Sequence, residues 1–164
     1  MSRRTAWLTK ALASCGFLSY LPSKLHVPGK PTTGAGFIGT LAGALALPLL
    51  PMTGWACAVV LLGAFFISVV VSDLAETCMR RKDDPRIIID EWAGYWTAMA
   101  WLPRTWSVGI AAFVLFRVFD VWKPLGIRQL SRFPGGWGVV LDDIAAGVFT
   151  NVLLHAVLPF IIHN

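Results

Sequence analysis

The stretch "RIIIDEWAGYWTAMAWL" (residues 86–102) is apolar almost throughout, yet Asp90 and Glu91 stand side by side near its start. Adjacent carboxylates are costly in such a segment. At membrane depth, ionisable groups face a bundle interior or a polar cavity and mark function. The rest of the chain supports the membrane setting. Hydrophobic residues make up 56% of the 164 positions and charged residues 14%, well below the ~25% charged content of soluble domains. The mean hydropathy is +0.66. This balance excludes an ordinary water-soluble fold.

Working outward, five apolar runs are visible, at 35–50, 55–72, 87–102, 106–122 and 139–162. A spanning helix takes ~20 residues, with ~17–25 tolerated, and Pro48, Pro51, Pro103 and Pro124 fall at or near the run ends, where helices stop. The predicted fold is all-α: a polytopic membrane helix bundle of about five spans, forming one integral membrane domain over 1–164. Residues 1–30 are its interfacial N-terminal segment and 35–163 its transmembrane bundle. In the first run, "GTLAG" sets Gly39 and Gly43 four apart, a spacing that lets another helix approach closely. The N-terminal "SRRTAW" and "LASCG" resemble secretion signals, but Lys10 interrupts the apolar region, leaving it short of the ~7–15 residues of a signal core. Leu8, Ala11, Leu12, Cys15 and Leu18 instead follow helical spacing, which predicts an amphipathic helix on the membrane surface.

The net charge of +5 is spread between apolar runs. It reads as contact with anionic lipid head groups, with no nucleic-acid partner. Arg3, Arg4, Lys10, Lys24 and Lys30 precede the first run; Arg80, Arg81, Lys82 and Arg86 follow the second; Lys123, Arg128 and Arg132 follow the fourth. The connection "PMTG" and the tail carry no Lys or Arg, and the third turn has only Arg104. Five spans with a cytoplasmic N-terminus put nearly all these cations inside. Cys15, Cys57 and Cys78 form no CxxC pair and give neither a disulfide framework nor a zinc site.

That topology brings carboxylates from three distant segments to one face. Asp90 and Glu91 begin span three, Asp120 ends span four, and Asp142 and Asp143 begin span five, with Arg117 and Lys123 three residues either side of Asp120. Taken singly, the acidic pairs could be helix starts favoured by the helix dipole. Asp120, at a helix C-terminus, opposes that dipole. Together, five carboxylates need cations, which Arg, Lys and a hard divalent ion such as Mg2+ would supply. Asp73, Glu76 and Asp83 read as solvated loop charges. "TTGAGFIGT" and "PGGWG" place bare backbone N–H groups ahead of helices, which suits a phosphate.

"IIIDEWAGYW", "FRVFDVWKPLGIRQL" and "GGWGVVLDDIAAG" together resemble the phosphatidylglycerophosphatase A family, whose pattern is DE followed by Gly, then FRxFDxxKPxxI, then GGxGxxxDDxxAG. The family's PGTxGSL stretch corresponds to "AGFIGTL" at 35–41, where Gly36, Gly39 and Thr40 remain while Ala35 and Phe37 stand at the Pro and first Thr positions. Thr32, Thr33 and Thr40 are the candidate replacement hydroxyls.

The resemblance implies a Mg2+-dependent phosphatase of the bacterial inner membrane. Its site would face the cytoplasm, and it would convert phosphatidylglycerol phosphate to phosphatidylglycerol and phosphate in phospholipid biosynthesis. Asp90, Glu91, Asp120, Asp142 and Asp143 are expected to bind metal and supply a general base. Arg117, Lys123, Gly36, Gly39 and Thr40 are expected to bind substrate. No Cys-x5-Arg, DxDxT or PSGH motif occurs, which leaves a metal-activated water or an aspartyl phosphate. The alternative is a small ion-coupled transporter using the carboxylates as a cation or proton site, for which charges near mid-span would be expected.

Overall fold

The computed structural model describes residues 2–23, 34–52, 54–124 and 126–162. Among these, all regular structure is helical and no strand occurs, as the all-α reading expected. Helix α1 (Arg3–Ala13) starts where the Ser2 hydroxyl accepts from Thr5 N at 3.2 Å. It ends before the helical spacing through Leu18 predicts. Cys15, Gly16 and Phe17 adopt positive φ and turn the chain into the short α2 (Tyr20–Ser23). Trp7, Leu8 and Leu12 remain exposed on α1, while Thr9 and Ala13 are buried. The helix lies against the bundle with Trp7, Leu8 and Leu12 outward alongside exposed Arg3 and Arg4.

The remaining helices are α3 (Ala35–Leu45), α4 (Gly54–Met79), α5 (Ile89–Ala98), α6 (Trp106–Trp122), α7 (Ile127–Leu130) and α8 (Gly136–Ile162). Two of them, α4 and α8, are long and apolar enough to cross a membrane. The other apolar runs give shorter helices than the five-span expectation required. α3 has 11 residues and passes into a 3-10 turn at Leu47–Leu49, and α5 has 10. At 1.5 Å per residue these reach roughly 15–17 Å, against ~30 Å of hydrocarbon. α6, with 17 residues, reaches about 25 Å.

The outer surface is apolar at helical spacing. Trp55, Val59, Leu62, Phe66 and Val70 are exposed along α4, and Trp106, Ile110, Val114, Val118 and Val121 along α6. Continuous apolar faces of this extent fit lipid contact.

α5 stands at the centre and packs against α3, α4, α6 and α8. Its close approaches depend on missing side chains. A Cβ at Gly94 would lie 2.8 Å from Asp143 O, and one at Gly147 would run into Gly94 O. The close contact expected of Gly39 and Gly43 is made with α5. Their Cβ atoms would lie 2.8 Å from Ile88 O and 3.1 Å from Trp92 O, and Trp96 Nε1 donates to Gly43 O at 3.0 Å. Tyr95, Met99 and Phe116 are fully buried in the core alongside.

Candidate active site

The ends of α3, α5, α6 and α8 meet at one end of the bundle, and each brings part of the site. α5 begins with Asp90 and Glu91 in its first turn. Its start is fixed by the N-terminal segment: Ile88 N donates to Ala13 O at 2.8 Å, and Ser19 Oγ donates to Arg86 O at 2.7 Å. α6 starts on a Thr105 hydroxyl that accepts from Val108 N. It stops at Lys123, whose left-handed backbone precedes Pro124. The chain then returns through α7 to α8, where Asp142 and Asp143 lie in the second turn.

Asp90, Asp120, Asp142 and Asp143 are all buried, and Glu91 is half-buried. The expected set of five divides into two groups. Asp90, Glu91 and Asp143 offer carboxylate oxygens that all lie within 4.8 Å of one another. Asp90 Oδ1, Glu91 Oε2 and Asp143 Oδ2 are buried without a hydrogen-bond partner. Buried anionic oxygens left unpaired are expensive, and three of them together suit one cation with oxygen ligands. Asp120 and Asp142 instead face cations of the chain. Arg117 Nη1 donates to Asp120 Oδ2 at 2.5 Å, and Lys123 Nζ donates to Asp142 Oδ2.

Gly36 belongs to this end of the bundle as a point of close approach. A Cβ there would stand 2.6 Å from Glu91 Oε1 and 2.9 Å from both terminal nitrogens of Arg117. Gly39 faces the other oxygen, with its Cβ position 3.1 Å from Glu91 Oε2. Thr40 is fully buried; its hydroxyl donates to Gly36 O at 2.9 Å and lies 3.5 Å from Arg117 Nη1. Thr32 and Thr33 lie outside the described residues.

The "PGGWG" loop has a different local role from the phosphate cradle expected of it. Gly136 N donates to Asp73 Oδ1 at 3.2 Å, and a Cβ at Gly136 would strike Val69 O. Asp73 is exposed, as the solvated-charge reading expected, but it lies on α4 and not in a loop, and its carboxylate reaches the start of the helix that carries Asp142 and Asp143. A residue missed is Asp84. It is buried in the loop before α5 and bound by Arg86 Nε and Nη2, both at 2.8 Å. Burial alone would raise its pKa, but the Arg86 contacts outweigh burial and hold it below the usual carboxylate value. The Arg86 guanidinium also sits 5.6 Å from the Tyr20 ring centre. The signal for Asp84 was a charged residue two positions before an arginine, which spacing alone does not distinguish from loop charge.

The sequence model of the family "Phosphatidylglycerophosphatase A" matches residues 12–158. A Bacteroides thetaiotaomicron protein named putative phosphatidylinositol-3-phosphatase is 38% identical over 104 residues, covering 61% of this chain and 64% of the relative. The phosphatidylglycerophosphatase A of Escherichia coli is 38% identical over 99 residues, covering 59% of this chain and 57% of the relative. That of Haemophilus influenzae is 30% identical over 99 residues, covering 59% and 58%. The chain thus spans less than two thirds of the length of these curated relatives. No solved structure matches. With the family model covering nearly the whole chain, including every residue of the carboxylate site, this chain belongs to the phosphatidylglycerophosphatase A family.

Proposed function

We propose that the chain is a multi-pass membrane phosphatase that converts phosphatidylglycerol phosphate to phosphatidylglycerol and inorganic phosphate. The observation that carries this reading is the convergence of Asp90, Glu91 and Asp143, with three unpartnered buried oxygens, at the same end of the bundle as Arg117. The donor set is all carboxylate, which suits a hard divalent cation, and Mg2+ is the ion we assign. When bound, it would screen the phosphate charge and acidify a water.

The chain's own residues supply the rest. Arg117, held by Asp120, presents its planar fork to phosphoryl oxygens, a geometry that favours bidentate binding. Lys123, held by Asp142, adds a point charge where negative charge develops. A carboxylate of the site takes a proton from the attacking water. The water oxygen bonds to phosphorus, the ester P–O bond breaks, and the released glycerol oxygen takes up a proton. In this reading Asp120 and Asp142 act through the cations they pair with.

The apolar runs 35–50 and 87–102 extend beyond α3 and α5, and with α6 they complete a five-pass bundle with α4 and α8. Exposed Trp106 and Trp122 bracket α6 at its two ends, which fits the two interfaces of a membrane. The site end faces the cytoplasm of a bacterial inner membrane, because among the described residues the loops at that end carry Arg80, Arg81, Lys82, Arg86, Lys123, Arg128 and Arg132 while those at the opposite end carry Arg104 alone. Nothing favours the transporter alternative, since the carboxylates gather at helix ends.

The test is phosphate release by purified protein in mixed micelles with Mg2+. Phosphatidylglycerol phosphate should be cleaved faster than phosphatidic acid or phosphatidylinositol 3-phosphate. Cleavage of phosphatidylinositol 3-phosphate alone would assign the other head group, the one in the Bacteroides relative's name.

A further inference from the structure

A groove of 580 Å³ runs between the turn after α1 and helices α3, α4 and α5, a volume within the ~300–1,000 Å³ of small-molecule sites. None of its lining side chains is charged. Its α5 wall is Ile89, Trp92 and Trp96, which interleave in sequence with Asp90 and Glu91. Groove and carboxylates therefore share the first turn of α5. Cys15 and Gly16, in the turn after α1, line the same groove. The opposite wall is kept open by Gly63: a Cβ there would meet nothing within 4 Å. Leu12 and Ile67 at its margins are exposed on the apolar outer surface.

We propose that this groove seats one acyl chain of the phospholipid substrate. The assignment rests on the phosphatase reading above, because the occupant is argued from the substrate. A lipid whose phosphate reaches the carboxylates needs hydrocarbon-lined surface that starts at their level and opens to the bilayer. A second crevice, 410 Å³, runs from Leu41 and Phe113 to Arg104 and Trp106 and includes no residue of the first turn of α5.

The test is Gly63→Leu, assayed on dipalmitoyl and dibutyryl forms of phosphatidylglycerol phosphate. Leucine favours the helix interior over glycine and enters open space, so the fold is kept; melting in detergent checks this. On the dipalmitoyl lipid kcat/KM should fall by about tenfold or more, as displacing two methylenes would give. On the dibutyryl analogue it should be unchanged. As a second measurement, a lipid with a photoreactive group in its chain should label wild-type peptides containing Trp92 or Ile67. Unchanged turnover of both lipids, equal loss on both, or labelling confined to other helices would overturn the groove assignment alone. Wild-type protein that cleaves neither lipid would overturn the phosphatase reading, and the groove with it.

Discussion

Arg117 Nη1 stands 2.5 Å from Asp120 Oδ2, one turn along the same helix, and the same nitrogen lies 3.5 Å from Thr40 Oγ1 on α3. The guanidinium is thereby held between two helices with its terminal nitrogens beside Glu91, since both lie 2.9 Å from the Cβ position of Gly36.

Removing the acidic partner should release the fork. Asp120→Asn is expected to lower kcat/KM by about 10²- to 10⁴-fold, the scale of a lost positioned acid–base or charge-stabilising group. If Asp120 acts through Arg117, the double variant Asp120→Asn, Arg117→Gln should be little worse than the poorer single variant. Additive losses would separate the two residues. A folded Asp120→Asn protein working at the normal rate would remove both from the site.

Gly36 provides a gentler perturbation. Alanine there would press on Glu91 Oε1 at 2.6 Å and on the Arg117 fork at 2.9 Å. These are the far ends of flexible side chains, so the fold should tolerate the change while both groups shift. Activity should drop by roughly ten- to a hundredfold, since misplacement by about 1 Å can cost ~10²-fold. Melting should change little. By contrast, Gly94→Ala meets the Asp143 carbonyl and the Phe116 ring, and its overpacking should cost about 1–3 kcal/mol of stability. Equal melting of the two variants would contradict this ranking.

Asp73 should behave as a brace for α8. Asp73→Ala removes the acceptor for Gly136 N and should cost about 0.5–2 kcal/mol, as for a lost helix cap. Asp73→Asn keeps an oxygen acceptor and should cost less, with near-normal activity. A large activity loss in Asp73→Asn at normal stability would place Asp73 in the chemistry instead.

Much of this was legible because the chain has few charges. Asp90, Glu91 and Asp143 are conspicuous in apolar runs, and the Arg117–Asp120 pair follows from helical spacing. The Lys123–Asp142 pair was not legible, since it depends on the turn through Lys123 and α7 that returns α8 alongside α6. Nor was the early end of α1, because Cys15 and Phe17 take positive φ without being glycine. The glycines of "PGGWG" look the same in sequence whether they cradle an anion or allow α8 to approach α4, and only Val69 O and Asp73 beside Gly136 decide it. The third run reads as apolar to Leu102, yet α5 ends at Ala98, with Trp101 at positive φ just beyond.

The loop before α5 gives a pH signature of stability. Arg86 holds the Asp84 pKa below its ordinary value in the folded protein, while the unfolded value is ~3.9. The resulting stabilisation is complete above the unfolded value and is lost as pH falls through the lower folded one. Melting in detergent should therefore decline on acidification below about pH 4, and the decline should be shallower in Asp84→Asn. An identical acid profile in the two proteins would remove Asp84–Arg86 from the account.

The central claim is that Asp90, Glu91 and Asp143 hold a divalent cation that hydrolysis requires. Phosphate release from phosphatidylglycerol phosphate, measured on purified protein before chelation, in chelator and after Mg2+ is returned, tests it most directly. The account predicts loss of activity in chelator and recovery with Mg2+, with no recovery in a folded Asp143→Asn variant. Full activity in excess chelator would contradict it.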